Sequence, residues 1–489
     1  MHGYPSALYD AVSTTECEIE GDPVSDDLCF MPATEMLARY RDRSLSPVEV
    51  TTAILAQIEL VDPRINAYVT VTGDIALEQA RMAEQSWQAG IAGDLLGVPI
   101  SIKDLTATKG IRTTRGSRLY ENWIPDSDAI FVERVKNAGS VMLGKTSSPE
   151  FGWKGETTNP VSGTTRNPWN LERTAGGSTG GGSAAVAAGM GPLTQGGDGA
   201  GSIRIPSSFC GIYGLKPSFA LVPAYPPSAI ADVAHLGPMT RTVADAALLL
   251  NVVAGEDSRD RFSWSSNLDY LPFCDTRDLK GWRIAWSPDL GYAAVEPEIA
   301  AICEQQVQIL RDLGAEVVEA HPGLPDPWEI INDLWAAAMG SLHIDNLDEV
   351  RELIDPGRLT VVEYGLTVTG AELTRKQQRR GEYYESWRQF MQEYDLFVCP
   401  TEPCTAFEAG LDFPPVIAGR EMSYLGWTAF TYPFNLTGFP AATVPAGFAA
   451  DGLPVGLQLV GRWHDDASVI AASAAFEAAA PWAGERPPV

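Results

Sequence analysis

Short apolar runs of β type alternate with helix-forming stretches along much of the 489-residue chain, and this alternation constrains the fold more than any other feature. Apolar runs bounded by turn residues are typical of buried strands, whereas apolar residues that recur every three or four positions indicate helices. Strands that alternate with helices favour an α/β fold with a mixed or largely parallel sheet. The predicted strands lie within residues 97–105, 139–147, 282–288, 315–321, 395–401, 440–447 and 455–461.

Helix signals stand between these runs. Ser46 is a predicted N-cap, followed by Pro47 at the first helical position and by Glu49, which completes a capping box. Residues 325–390 have the amphipathic pattern of several helices packed against one side of the sheet. The other predicted helices lie within residues 128–139, 296–313 and 467–480.

The chain is predicted to form one domain. It has no internal repeat, and no low-complexity linker divides it. We therefore expect residues 31–489 to form a single large α/β domain, with a mixed β-sheet core covered by helices on both faces. Residues 1–30 are acidic and weakly patterned, which predicts an N-terminal extension.

Charge and cysteine spacing argue against several classes of function. The chain has 35 Lys and Arg against 63 Asp and Glu, and a net charge of −28 disfavours binding to nucleic acid or to an anionic membrane. No apolar stretch approaches the ~18 residues that span a bilayer, and the N-terminus lacks the pattern of a secretory signal. The seven cysteines form neither a CxxC pair nor a Cys/His ladder, so we expect reduced thiols, a cytoplasmic location and no metal.

A glycine-rich segment, TAGGSTGGGSAAVAAGMG at residues 174–191, admits three interpretations: a linker, an anion-binding loop or a catalytic loop. Its alanine-rich half favours a helix, into which a flexible linker would not lead. A P-loop requires a lysine, and none lies between Lys154 and Lys216. A dinucleotide-binding loop requires a preceding strand, which the pattern does not indicate. Taken alone, the segment leaves all three interpretations open.

A second glycine-rich segment, TQGGDGAGSIRIPSSFCGIYGLKPS at residues 194–218, is predicted to form a turn that ends at Ser202. Small residues at 199–201 allow several backbone N–H groups to converge on one point, as in an oxyanion hole. A serine that closes such a turn is a candidate nucleophile, and it needs a base. The five histidines lie outside both segments, and the chain has no GxSxG motif. Lys103, at the end of an apolar run, is either that base or a solvated lysine at a strand end.

Three segments, GVPISIKD, GGSTGGGSAAVAAG and GGDGAGSIRIPSSFCGIYGLKPS, together resemble the amidase signature family in content and order. The separations, 178 − 103 = 75 and 202 − 178 = 24 residues, fit the family's pattern, and the resemblance covers most of residues 31–480. It implies a serine hydrolase that cleaves carboxamides, or related esters and carbamates, through an acyl-enzyme. It also implies that no metal or organic cofactor takes part. Similar members of the family include aryl acylamidases.

The resemblance implies a role for each matched reactive residue. Ser202 is the nucleophile, and Ser178 is the serine that bridges it to the base, Lys103. The peptide bond between Gly177 and Ser178 is expected to be cis. A lysine of ordinary pKa, ~10.4, would be protonated at neutral pH, so we expect burial to lower the pKa of Lys103.

The resemblance also implies supporting roles for residues of the same loops. Asp198 and Arg204 match positions that hold the loops together. Thr179 stands where the family usually has serine, and Ala200 where it usually has glycine, a change that is tolerated where φ is negative. The expected oxyanion donors are the backbone N–H groups of Gly199, Ala200, Gly201 and Ser202.

Aromatic residues in three loops, residues 150–160, 222–235 and 422–434, predict an apolar substrate pocket. Such a pocket suits neutral hydrophobic ligands, so we expect a small-molecule substrate, either an aryl or other hydrophobic amide or a carbamate. We also expect a monomer or homodimer that binds neither nucleic acid nor a membrane. Two alternatives stay open: a glutamyl-tRNA amidotransferase A-type subunit that hydrolyses glutamine, and a non-catalytic small-molecule binder on the same fold. The expected pocket residues are Phe151, Trp153, Tyr225, Tyr424, Trp427 and Phe430.

Overall fold

The computed structural model describes residues 27–489, so most of the predicted extension, residues 1–30, lies outside the described residues. The last residues of that segment pack against the domain. Cys29 is buried, and the guanidinium of Arg241 lies 5.3 Å from the ring centre of Phe30. Packing against the domain therefore begins before the predicted boundary at residue 31.

An eleven-stranded mixed sheet forms the centre of a single large α/β domain, as the alternation predicts. Across the sheet the order is β1-β3-β2-β4-β6-β5-β10-β11-β9-β7-β8. Strand β2 runs parallel to β3 and β4, and β7 runs parallel to β8 and β9, whereas the other neighbours are antiparallel. In chain order the strands are β1 (Tyr68–Val71), β2 (Pro99–Lys103), β3 (Val141–Thr146), β4 (Leu193–Asp198), β5 (Tyr213–Lys216), β6 (His235–Thr240), β7 (Arg283–Trp286), β8 (Glu316–Glu319), β9 (Leu396–Pro400), β10 (Ala441–Phe448) and β11 (Pro454–Gly461).

Helices surround this sheet. The predicted capping box is present at the start of α2, where Ser46 N donates to Glu49 Oε2 at 2.8 Å. Among residues 27–489, no helix is both long and apolar enough to cross a membrane. The helices are α1 (Ala33–Asp42), α2 (Pro47–Ile65), α3 (Gly73–Gln88), α4 (Ile130–Asn137), α5 (Gly180–Ala187), α6 (Arg204–Cys210), α7 (Val243–Val253), α8 (Pro297–Asp312), α9 (Trp328–Ser341), α10 (Leu347–Val350), α11 (Pro356–Gly365), α12 (Gly370–Phe390), α13 (Tyr432–Thr437) and α14 (Asp466–Ala479).

Two hydrophobic cores lie on opposite faces of the sheet, because successive side chains of a strand point to opposite faces. In β9, Leu396 and Val398 belong to one core, whereas Phe397 and Cys399 belong to the other. The first core also contains residues of α2, α7 and α14, and the second contains residues of α9 and α12. The expectation of helices on both faces is therefore confirmed.

All seven predicted strands are present within two residues of their predicted bounds, but the glycine-rich strand β4 was predicted as part of a turn. Gly196 in this strand is explained by close packing rather than by turn geometry. A Cβ atom added at Gly196 would lie 2.5 Å from Ile203 Cγ1 and 2.8 Å from Met239 Sδ. Glycine in a central strand often marks such a close approach. Strand β4 positions the turn that carries Ser202.

Candidate active site

The sheet and two helix starts bring the three matched residues to one cavity. Lys103 is the last residue of β2, whose neighbour β4 ends at Asp198. Ser178 and Ser202 each precede a helix by two residues, at the starts of α5 and α6. Lys103, Ser178 and Ser202 all line one cavity of about 260 Å³, called the central cavity below. Their exposed fractions are 2%, 3% and 6%, so each meets the cavity from a buried position.

The side-chain nitrogen of Lys103 lies among uncharged hydrogen-bond acceptors. Its Nζ donates to Ser178 Oγ at 2.8 Å, to Thr179 Oγ1 at 2.9 Å and to the carbonyl of Gly197 at 3.2 Å. Burial lowers the pKa of Lys103 to about 7, although the charge of Asp198 acts in the opposite direction. Burial therefore favours the neutral amine of Lys103, the form that a general base requires.

A second buried lysine shows that a lowered pKa does not by itself identify a base. Burial also lowers the pKa of Lys145, on β3, to about 7. Its Nζ donates to Thr108 Oγ1 at 2.8 Å, to Thr113 Oγ1 at 3.2 Å and to the carbonyl of Thr106. These contacts hold the loop that follows β2, and Lys145 does not line the central cavity. Access to the cavity therefore distinguishes Lys103.

The turn before Ser202 offers three backbone donors rather than the expected four. Gly201 N donates to Asp198 Oδ1 at 2.7 Å, so the expectation that it serves an oxyanion is wrong for this conformation. Within the described chain, the N–H groups of Gly199, Ala200 and Ser202 meet no protein acceptor. Gly199 and Ser202 line the central cavity. These three N–H groups remain available to a negatively charged oxygen.

Asp198 and Arg204 form a buried ion pair that holds this turn, as the resemblance implies. The Arg204 guanidinium donates Nε to Asp198 Oδ2 and Nη2 to Asp198 Oδ1, each at 3.0 Å. It also donates to the carbonyl of Thr431 at 2.9 Å, to Gln458 Oε1 at 2.7 Å and to Asn435 Oδ1 at 2.6 Å. Burial would raise the pKa of Asp198, but the Arg204 charge and hydrogen bonds hold it well below its usual range. Asp198 therefore stays ionised and anchors the Gly201 N–H.

Backbone geometry explains the two departures from the family pattern. Thr179 keeps the hydroxyl that accepts from Lys103, and Ala200 keeps a φ outside the left-handed region. Gly201, in contrast, has φ +132°, which side chains rarely adopt. The peptide bond between Gly177 and Ser178 is cis.

Replacement of Gly201 by alanine is expected to lower kcat by about 10²-fold, because small shifts of catalytic groups cost that much. The added Cβ would collide with Thr431 Oγ1 and lie 2.8 Å from Thr431 Cβ, which would displace the turn. Steady-state rates and thermal unfolding of the purified variant provide the measurement. The matched control is Ala200→Gly, which should stay close to wild type. Equal rates for Gly201→Ala and wild type would contradict the steric argument.

Only two of the six aromatic residues predicted for the pocket line the central cavity, namely Phe151 and Tyr225. Trp427 stacks on Phe209 with ring centres 6.2 Å apart, and Phe430 is fully buried in the core. These two residues stabilise the domain because their loop folds inward.

Trp153 and Tyr424 are also absent from the cavity wall, and their ring centres lie 5.2 Å apart. Tyr424 acts on the cavity indirectly, since its hydroxyl accepts from Trp335 Nε1 at 2.9 Å. Trp335 and Met339 lie one turn apart on α9 and line the cavity. Their helical spacing in the sequence indicates packing against the core and gives no sign of a place in the cavity wall. Ile230 and His235, in the predicted loop 222–235, also line the cavity. Other wall residues, which the sequence did not indicate, include Leu105, Arg115, Ala129 and Leu342.

In the part of the chain that the structure describes, no three His, Cys, Asp or Glu side chains are grouped so that they could hold a metal ion. His235 lines the cavity and is buried, and burial lowers its pKa well below the usual range. Its Nδ1 lies 2.9 Å from the carbonyl oxygen of Val233 and 3.5 Å from Asn435 Nδ2.

Known proteins resemble the chain along nearly its whole length. The Amidase family model matches residues 49–470. An acylamidase from Rhodococcus erythropolis is 40% identical over 468 aligned positions, covering 94% of this chain and 98% of that protein. The A-type subunit of glutamyl-tRNA(Gln) amidotransferase from Roseiflexus sp. (strain RS-1) is 37% identical, covering 93% and 97%. The crystal structure of a bacterial aryl acylamidase of the amidase signature family superposes with a TM-score of 0.87 at 33% identity, covering 93% and 97%.

Proposed function

The chain belongs to the amidase signature family and is an amide hydrolase, and on this premise we propose that Ser202, Ser178 and Lys103 are its catalytic triad. The observation that carries the proposal is the 2.8 Å hydrogen bond from buried Lys103 Nζ to Ser178 Oγ, on a wall that also presents Ser202. The lowered pKa of Lys103 supports its role as the base.

In the first half of the reaction, Ser202 Oγ attacks the carbonyl carbon of the amide. The proton of Ser202 passes to Ser178 Oγ as the proton of Ser178 passes to Lys103 Nζ. The negative charge that forms on the carbonyl oxygen meets the N–H groups of Gly199, Ala200 and Ser202. The Lys103 ammonium then returns a proton through Ser178 to the leaving nitrogen. The C–N bond breaks, the amine departs, and the acyl group stays on Ser202 as an ester.

In the second half, a water molecule attacks that ester. Its proton follows the same path through Ser178 to Lys103, and the returning proton restores Ser202 as the carboxylic acid leaves. Esters and carbamates present a similar carbonyl carbon to Ser202, so the same groups can open them.

The charges on the cavity wall support hydrophobic amides as substrates. Asp198 is the one carboxylate that lines the central cavity within residues 27–489, and Arg204 already pairs with both of its oxygens. The ammonium group of a free amino acid would therefore be buried there without a counter-charge. Aryl and alkyl groups would instead contact the apolar part of the wall, which includes Trp335, Met339 and Leu342.

We expect kcat/KM for an N-aryl amide such as 4-nitroacetanilide to exceed that for glutamine by at least about 10²-fold, because glutamine leaves its ammonium unpaired. The measurement is the initial rate of each at one pH with the purified chain. An aryl carbamate belongs in the same panel. A preference for glutamine would contradict the proposed substrate class.

The second candidate function is that of the A-type amidotransferase subunit, because a protein of that description is 37% identical over most of the chain. A net charge of −28 opposes the approach of tRNA at long range. Activity that appears only after tRNA and partner proteins are added would favour this candidate. Binding of amides without turnover would instead indicate a non-catalytic binder.

A further inference from the structure

Arg115 places a cation on the wall of the central cavity, and its guanidinium has no hydrogen-bond acceptor among residues 27–489. Within the described chain, its guanidinium donates no hydrogen bond and lies within ion-pair distance of no carboxylate, and its Nε is buried. The guanidinium instead lies 4.5 Å from the ring centre of Trp123 and 4.8 Å from that of Tyr120. These rings hold its plane in place and leave its N–H edges available.

A backbone hydrogen bond connects Arg115 to the loop that follows Lys103, the proposed base. Arg115 N donates to the carbonyl of Asp104 at 3.0 Å, and Asp104 directly follows Lys103. The Asp104 carboxylate accepts from Thr114 N at 3.0 Å and from Thr114 Oγ1, and Arg115 donates no hydrogen bond to it. Burial lowers the pKa of Arg115, and the charge of Asp104 acts in the opposite direction. The arginine is thus close to the base, and no carboxylate of residues 27–489 forms an ion pair with it.

A second backbone hydrogen bond connects Arg115 to the segment that packs against Ser178, the proposed bridging serine. Phe151 N donates to the carbonyl of Arg115 at 2.8 Å. The next residue is Gly152, where an added Cβ would lie 3.0 Å from Ser178 Oγ. Arg115 and Phe151 both line the cavity and both have a positive φ, 56° and 52°. Such backbone conformations are uncommon outside glycine and concentrate at functional sites.

We propose that Arg115 binds a carboxylate carried by the substrate away from the scissile bond, so that the preferred substrates are hydrophobic amides with one carboxylate and no ammonium. The planar guanidinium matches the two oxygens of a carboxylate. A local cation is needed because a net charge of −28 repels anions at long range. The proposal rests on the proposed function of the central cavity, and it names the substrate class more closely.

Two matched pairs of amides test it. For the acyl side, the pair is the mono-4-nitroanilide of succinic acid and its isostere, 4-methylpentanoyl 4-nitroanilide. For the amine side, the pair is 4-acetamidobenzoate and 4-isopropylacetanilide. We expect the wild type to prefer the carboxylate in at least one pair by about tenfold or more in kcat/KM, as for a hydrogen-bonded charge.

Arg115→Met should abolish this preference and change kcat/KM for the neutral member by less than about threefold, because only the carboxylate contact is lost. Arg115→Lys should keep part of the preference. The control is Arg112→Met in the same loop, since Arg112 Nε donates to the carbonyl of Glu121 at 2.7 Å and the residue does not line the cavity. Absence of a preference in both pairs, or equal slowing of both members by Arg115→Met, would overturn the proposal.

A binding measurement separates this proposal from the proposed function. The mono-4-nitroanilide of succinic acid is titrated into Ser202→Ala protein with and without Arg115→Met, and the two Kd values are compared by calorimetry. Weaker binding of about tenfold or more in the double variant supports the Arg115 site even if the wild type hydrolyses no amide tested. Equal Kd values would overturn the Arg115 site even if wild-type amidase activity is high.

Discussion

Ser202→Ala should lose at least about 10³-fold in kcat for amide hydrolysis, because the acyl-enzyme cannot form without the hydroxyl. The N–H groups of Gly199 and Ala200 meet no protein acceptor in the described chain and would still polarise the substrate, so binding should persist. Single-turnover and steady-state rates on an N-aryl amide measure the loss. Retention of more than about a tenth of the wild-type kcat would exclude Ser202 as the nucleophile.

The same assignment predicts a specific covalent label. A fluorophosphonate should modify Ser202, and the modified peptide can be located by mass spectrometry. The matched control is Ser207→Ala, because Ser207 lies on α6, is buried, and has an Oγ with no acceptor in the described chain. That variant should keep both its activity and its label. A label on another serine, with Ser202 unmodified, would contradict the triad.

Lys103→Ala should lower kcat at neutral pH by about 10³-fold or more, because the triad loses its base. In the wild type, kcat/KM should rise with pH through an apparent pKa near 7, since burial lowers the pKa of Lys103 to about 7. Below that pH Lys103 is an ammonium and cannot accept the Ser178 proton, whereas above it the amine is neutral. The apparent value belongs to the coupled unit of Lys103 and two serines.

Lys145→Met is the matched control for the loss of a buried lysine. Burial lowers the pKa of Lys145 to about 7 as well, but its hydrogen bonds hold a loop and it does not line the cavity. The variant should unfold at a lower temperature and keep the wild-type pH profile in its folded fraction. If Lys145→Met flattens the profile and Lys103→Ala leaves it intact, the base has been assigned to the wrong lysine.

Local patterns predicted most of the fold. Strands β2, β3 and β9 each contain a short apolar stretch bounded by turn residues, and such stretches stay recognisable whatever they pack against. Strand β4 was not predicted because its two glycines resemble a turn, and the close approach of Ile203 and Met239 explains one of them, Gly196. Glycine content reports both turns and close packing, so a pattern of residues cannot separate the two.

The prediction that six aromatic residues line the substrate pocket was wrong for four of them, for a similar reason. Phe151 and Trp427 both lie in loops rich in aromatic residues, yet one lines the central cavity and the other stacks on Phe209 in the core. An aromatic ring is equally favourable in a pocket wall and in a core. Whether a ring lies in the pocket wall or in the core depends on residues that are distant in sequence.

The sequence by itself determined the family and the α/β architecture, and it singled out Lys103, Ser178 and Ser202 as the proposed triad, because these inferences depend on local patterns and on motif spacing. The tertiary structure alone decided that Gly201 N–H is committed to Asp198 and that Arg115 has no acceptor in the described chain. It also decided that burial lowers the pKa of Lys103. Hydrogen-bond partners and burial are set by segments far apart in the chain, as where the Arg204 guanidinium reaches Asn435, 231 residues away. Such contacts leave no local signature, so only the folded chain shows which groups can act on a substrate.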